Sequence, residues 1–316
     1  MQAATEYIKI KPRKKKRKWR ETGFLVSVWI YPIALFALLY VAVNIGSIMM
    51  AFQTFNTTTQ QFEWTTGSEI VANFRLFIDN IRNSPDLAYV FRNSIIIYAV
   101  TMLISMPVNI CVSYFLFKKI YGHEIFKILL FLPSLISSIV WVFLFRYLVE
   151  FAVPAVFGEN IHLLSNSNAN VSFWTMLFFS TWIGFAGGML IYLGSMSRIS
   201  ESLIEAGKID GLTTLQELRY VALPLIYPLL SVMIITSVPG FFTNSLHIFA
   251  FYDDQAPREM YTLGYYLFIR VIGSDVRGFE MYPYAAAGGL LITLIVAPLT
   301  FFVKWLVERF DPEATY

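Results

Sequence analysis

Apolar positions in this chain come in long, nearly unbroken runs rather than in alternation or narrow stripes. Six runs, residues 24–50, 94–117, 126–148, 173–196, 222–250 and 285–306, are each long enough to cross a bilayer. About 20 apolar residues suffice for that, and only a helix keeps its backbone satisfied in hydrocarbon. The pattern therefore predicts an all-α integral membrane protein with six transmembrane helices. Pro32, Pro107 and Pro133 lie inside runs, and the pair Pro239-Gly240 is expected to interrupt the fifth. Between the runs, 52–92 and 251–283 read as extramembrane segments, 149–172 is Asn-rich without Lys or Arg, and 118–125 is a short loop with Lys118 and Lys119.

One polar stretch, 200–224, separates the fourth and fifth runs. Ser200 to Ile209 suits a helix of about 15 Å. Leu203, Ile204 and Gly207 share one face, while Glu201, Glu205 and Lys208 lie largely on others. Asp210-Gly211 is a turn signal, because glycine takes a left-handed C-cap without Cβ strain. Thr213 with Gln216 three residues on has the form of a capping box opening a second helix. The expectation is helix, bend, helix; such a pair can also be an ordinary loop between spans.

Composition agrees with membrane residence: of 316 residues 57% are hydrophobic and 14% charged, against about 25% charged in soluble domains. The net charge of +3 hides an asymmetry. Lys11, Arg13, Lys14, Lys15, Lys16, Arg17, Lys18 and Arg20 supply eight of 24 basic residues, leaving 16 basic against 21 acidic. Beside a span, such a cluster fixes topology and meets anionic headgroups rather than nucleic acid. With Lys118, Lys119 and Lys127, then Arg198, Lys208 and Arg219, then Lys304 and Arg309, it marks one side as cytoplasmic, both termini included. Arg258, Arg270 and Arg277 on the other side weaken the bias without reversing it. The tail lacks a small-residue cleavage site and does not read as a signal peptide. Cys111 stands alone, so neither a disulfide framework nor a Cys/His metal set is expected.

Glu205-Ala206-Gly207, three residues, Gly211, nine residues, then Val221-Ala222-Leu223-Pro224 resembles the EAA loop of binding-protein-dependent ABC importer permeases. Gly207 replaces the third Ala of that pattern, Val221 replaces Ile, and the Pro usual before the helix is Ser200. The likeness covers roughly 94–306. Asn93-Ser94, Phe131-Leu132-Pro133, Trp182, Thr262-Leu263-Gly264 and Tyr284 to Leu290 resemble the carbohydrate, maltose-type branch. The resemblance implies a basic cytoplasmic tail (1–22), a first transmembrane helix with an extracellular loop (23–93), a permease core (94–306) holding the coupling loop, and a cytoplasmic C-terminal tail (307–316). It implies a transport subunit of a bacterial inner membrane, without enzymatic activity or cofactor of its own. ATP and Mg would be bound by two ATPase subunits on the cytoplasmic face. A second, homologous permease subunit and an extracellular solute-binding protein would complete the importer.

Under that resemblance Glu205, Ala206, Gly207, Asp210, Gly211, Leu223 and Pro224 would form the ATPase-coupling site, with Glu205 in a polar contact, Gly211 supplying the bend and Pro224 opening the fifth span. Asn109, Ser180 and Asn244, polar positions within spans, are candidates for the substrate path; hydrogen bonds between helices are the plainer reading of each. His247 reads as an interfacial histidine. Rival functions are import of another solute, such as a polyamine or phosphate, a membrane receptor or scaffold, and a membrane-embedded enzyme. The last would want clustered acids and histidines within spans, and no metal site is expected. The sequence carries no P-loop pattern, so ATP hydrolysis is not expected of this chain.

Overall fold

The computed structural model describes residues 19–158, 161–164, 168–272, 279 and 281–310. The tail basics from Lys11 to Lys18, Arg277 and residues 311–316 lie outside these. The chain divides into two compact units, Met1–Met50 and Ala51–Tyr316.

In the first unit one apolar helix runs to Met50, with a π-helical stretch at Phe36–Ala42. Trp29, Ile30, Leu38 and Leu39 are all exposed, so this surface needs lipid around it. Some of its polar side chains bond back to the helix backbone. Ser27 Oγ donates to the Phe24 carbonyl at 2.8 Å, and Asn44 Nδ2 to that of Tyr40 at 2.6 Å.

The second unit opens with an antiparallel hairpin, Gln53–Asn56 against Gln61–Trp64, and a helix, Ala72–Asn83. The sequence reading has short helices here but not the hairpin. Phe77, the buried residue of that helix, sits against Gly288 where a Cβ would collide with its ring, with Tyr284 beside it at 5.4 Å. The small residues opening the sixth span thus make a slot for an aromatic ring.

Among the described residues five helices long and apolar enough to span follow: Leu87–Phe117, Ser138–Phe157, Ala169–Met196, Tyr227–Tyr252 and Met281–Arg309. With Gly23–Met50 they make the six expected from the sequence. Two boundaries differ in an instructive way. The third span begins at Ser138, not 126. A separate helix, His123–Phe131, ends in a tight turn at Leu132–Leu135 that contains Pro133. Proline has no N–H for the ladder, and carbonyls at this helix end accept from side chains. Ser134 Oγ donates to the Phe131 carbonyl at 2.8 Å and Trp141 Nε1 to that of Pro133 at 2.7 Å. Hydropathy is blind to such a break. The fifth span, conversely, runs through Pro239 to Thr243 and breaks at Asn244–His247, where Leu246 and His247 have φ near +51° and +57°. Asn244 Oδ1 accepts from the Leu246 N–H at 2.9 Å, an Asx turn that helps hold the break. Gly264 lies against the Thr243 and Asn244 carbonyls, leaving no room for a side chain.

Candidate functional site

The 200–224 stretch folds as helix, bend, helix. The first helix is Glu201–Ile209, with Ser200 extended at its N-cap. Its end is a Schellman motif. Gly211 has φ +77°, its N–H bonds the Lys208 carbonyl at 3.1 Å, and the Leu212 N–H bonds that of Gly207 at 3.0 Å. The motif brings Leu212 onto Gly207: a Cβ there would lie 3.2 Å from Leu212 Cδ1. A glycine at this position, where the family pattern has alanine, accommodates the leucine. The capping box is present, with Gln216 Oε1 accepting from the Thr213 N–H at 2.9 Å and Thr213 Oγ1 from the Gln216 N–H at 3.4 Å.

The two halves of the loop differ in what they touch. Ile204 and Gly207 are buried, and Glu205, Ala206, Lys208, Asp210 and Gly211 are exposed. Apolar side chains share this exposed surface: Ile209 is 86% and Leu215 73% accessible, although both lie outside the candidate spans. Glu205 also lines a cavity of about 780 Å³ together with Glu201, Lys208, His123 and Lys127. The second half packs inward through Glu217, Leu218 and Ala222. Leu218 and Ala222 join Ile110, Tyr114, Tyr192 and Met196 in a core that ties the loop to the second and fourth spans. Leu223 and Pro224 form one helical turn, and Ile226 at φ −95° separates it from the helix starting at Tyr227.

Within this inward half lies a pair that the sequence reading did not single out. Glu217, 2% exposed, accepts both oxygens' worth of hydrogen bonds from Lys118 Nζ, each at 2.8 Å. Burying a carboxylate costs several kcal/mol unless a partner meets it, and here the partner comes from 99 positions away. Lys118 reads from sequence as a topology marker; a polar residue beside Leu218 in a short amphipathic helix was the available signal.

The substrate-path candidates are not brought together. Asn109 is buried at the crossing of the second and fourth spans, where Gly188 leaves room for it. Ser180 lies eight residues earlier on the same helix as Gly188, hence about 12 Å along its axis. Asn244 holds the break in the fifth span. His247 has a left-handed backbone at that break and packs edge-on to Phe179 at 5.9 Å. Nearby, the segment 258–263 is fastened to the start of the second span. Asn93 Nδ2 donates to the Glu259 and Tyr261 carbonyls at 2.7 and 3.0 Å, and Ser94 Oγ accepts from the Leu263 N–H at 3.0 Å. Burial pushes the Tyr265 phenol above its ordinary pKa, and its hydroxyl donates to the Asp253 carbonyl at 2.7 Å. Among the described residues no group of three His, Cys, Asp or Glu side chains is placed to hold a metal.

The family model described as binding-protein-dependent transport system inner membrane component matches residues 112–316. The arabinooligosaccharides transport system permease protein AraP of Bacillus subtilis is 24% identical over 67% of this chain and 69% of its own length. The maltose/maltodextrin transport system permease protein MalF of Vibrio vulnificus is 26% identical over 61% of this chain but only 38% of its own length. Among solved structures, a bacterial ABC transporter involved in import of the acidic polysaccharide alginate superposes with a TM-score of 0.69 at 16% identity. That match covers 92% of this chain and 97% of the other. A second, of the bacterial alginate ABC transporter with an alginate pentasaccharide-bound periplasmic protein, gives 0.67 at 15% identity over 94% and 99%.

Proposed function

The chain belongs to the family of binding-protein-dependent transport system inner membrane components, and on that premise we propose that it is one permease subunit of an importer that carries a sugar or oligosaccharide across the membrane. The carbohydrate assignment rests on the relatives, whose names include arabinooligosaccharides and maltodextrins. The observation that carries the coupling role is the exposed face of the 200–224 loop, with Glu205, Ile209, Asp210 and Leu215 outside the spans, mounted on the packed residues Glu217, Leu218 and Ala222. Exposed apolar side chains away from lipid mark a protein contact.

In this reading the loop is cytoplasmic, on the side of Lys118, Lys119, Lys127 and Arg198, and both termini share that side. An ATPase subunit receives the Glu201–Ile209 helix, with Glu205 and Asp210 as polar contacts and Ile209 and Leu215 as apolar ones. ATP and Mg are held by that partner. Two ATPases, a second homologous permease subunit and an extracellular solute-binding protein complete the assembly. The chain makes and breaks no bonds. It is an element with two or more arrangements, whose equilibrium both partners bias.

The test is uptake of a labelled oligosaccharide into proteoliposomes bearing the whole importer and its binding protein. ATP-dependent accumulation that a polyamine or phosphate does not compete away supports the carbohydrate reading. Uptake of one of those solutes in its place would refute it.

A further inference from the structure

We propose that the Lys118–Glu217 ion pair is the positioning element that carries movement of the coupling loop into the second span. The inference rests on the coupling role given to the 200–224 loop.

Three observations place the pair there. First, it is the shortest and most buried ion pair among the described residues. Its side chains are 3% exposed for Glu217 and 19% for Lys118, whereas the i,i+4 pairs Arg146–Glu150 and Lys304–Glu308 are at least a third exposed on both partners. Second, it joins the coupling loop to the end of a span 99 positions away in the chain. Glu217 closes the short capped helix Thr214–Glu217, and Lys118 is the C-cap of the second span. A cation suits that end of a helix, where the last carbonyls are unpaired. Tyr114, one turn back on the same span, is fully buried. Third, a helical stretch with a looser hydrogen-bond pattern adjoins the pair on the loop side. The chain turns π-helical at Leu218–Ala222 directly after Glu217. Such stretches concentrate at functional sites.

The apolar contacts of Leu218 and Ala222 alone would hold the loop near the span but allow it to slide. A buried carboxylate that would be left unpaired by such sliding penalises it. A push on the Glu201–Ile209 helix passes through the Gly211 bend to Glu217, and from there Lys118 draws the end of the second span with it. The pair acts through geometry and touches no substrate.

The experiment purifies the intact importer, reconstitutes it in proteoliposomes and reads solute transported per ATP hydrolysed, so that unassembled ATPase does not enter the count. Glu217→Gln keeps the shape and removes the charge; Lys118→Met removes the partner; the swap Lys118→Glu with Glu217→Lys restores opposite charges. Each single variant is expected to lower the ratio by about tenfold, and the swap to recover much of that loss. A normal ratio in Glu217→Gln, with lower yield or without it, would reduce the pair to a structural tie and overturn the proposal. So would a swap no better than the single variants. Gly211→Val run in parallel separates the two levels. If it leaves the ratio unchanged, the loop is not the coupling element. If it lowers the ratio while Glu217→Gln does not, only the role of the pair falls.

Discussion

Gly211 offers the cleanest perturbation of the coupling loop. Its φ is +77°, and a Cβ built on it would meet nothing within 4 Å. Any cost of a side chain there is therefore conformational rather than steric. Holding an L-residue in the left-handed region costs about 1–2 kcal/mol, less for Asn, which visits it more readily. That energy works against the Schellman bonds from Gly211 to Lys208 and from Leu212 to Gly207, whose net worth is of the same order, about 0.5–1.5 kcal/mol each. The bend is thus brought near balance. A partner that binds only the bent form loses affinity as the bent fraction falls, about twofold at balance and up to about 5–30-fold if the full cost goes uncompensated. The assay is binding of the purified ATPase to the permease pair in nanodiscs across a series at this position. Affinity should fall in the order Gly, Asn, Ala, Val, with Val lowest because its branched side chain tolerates positive φ worst. Equal affinity across the series would refute the argument, and so would Asn binding as weakly as Val.

Other outcomes follow from close packing and buried polar contacts. Gly264→Ala should be among the most damaging small substitutions, because its Cβ meets the backbone carbonyls of Thr243 and Asn244, which have little room to retreat; thermal unfolding of the detergent-solubilised chain should shift markedly, whereas Gly184→Ala, with open space at its Cβ, should leave it nearly unchanged. Asn93→Ala removes the donor that serves the Glu259 and Tyr261 carbonyls and should cost about 1–3 kcal/mol, read in the same melt; Asn93→Asp, which cannot donate, should behave likewise rather than rescue.

Much of this architecture is legible in the chain because its signals are local. Span count follows from hydropathy, and the bend and capping box follow from Gly211 and from Thr213 with Gln216. What local reading misplaced were the breaks. Pro133 lies in the turn that ends a helix, where Ser134 and Trp141 donate to carbonyls of the turn, while Pro239 stays inside one. The fifth span instead breaks at Asn244, against Gly264 twenty residues later, a contact that no window around Pro239 contains. Lys118 with Glu217, Phe77 with Gly288, and Asn93 with Tyr261 were invisible for the same reason. Each needs two distant segments to be in place before either residue acquires meaning.

The central claim, that the exposed face of the 200–224 loop receives an ATPase, is tested most directly by mild-detergent purification of this chain from its native membrane, with mass spectrometry and an ATP hydrolysis assay of what accompanies it. The account predicts a second permease subunit and an active ATPase, with the ATPase lost when Glu205→Ala and Gly211→Val are combined. A chain that purifies without an ATPase, or retains it undiminished in that double variant, would contradict the account.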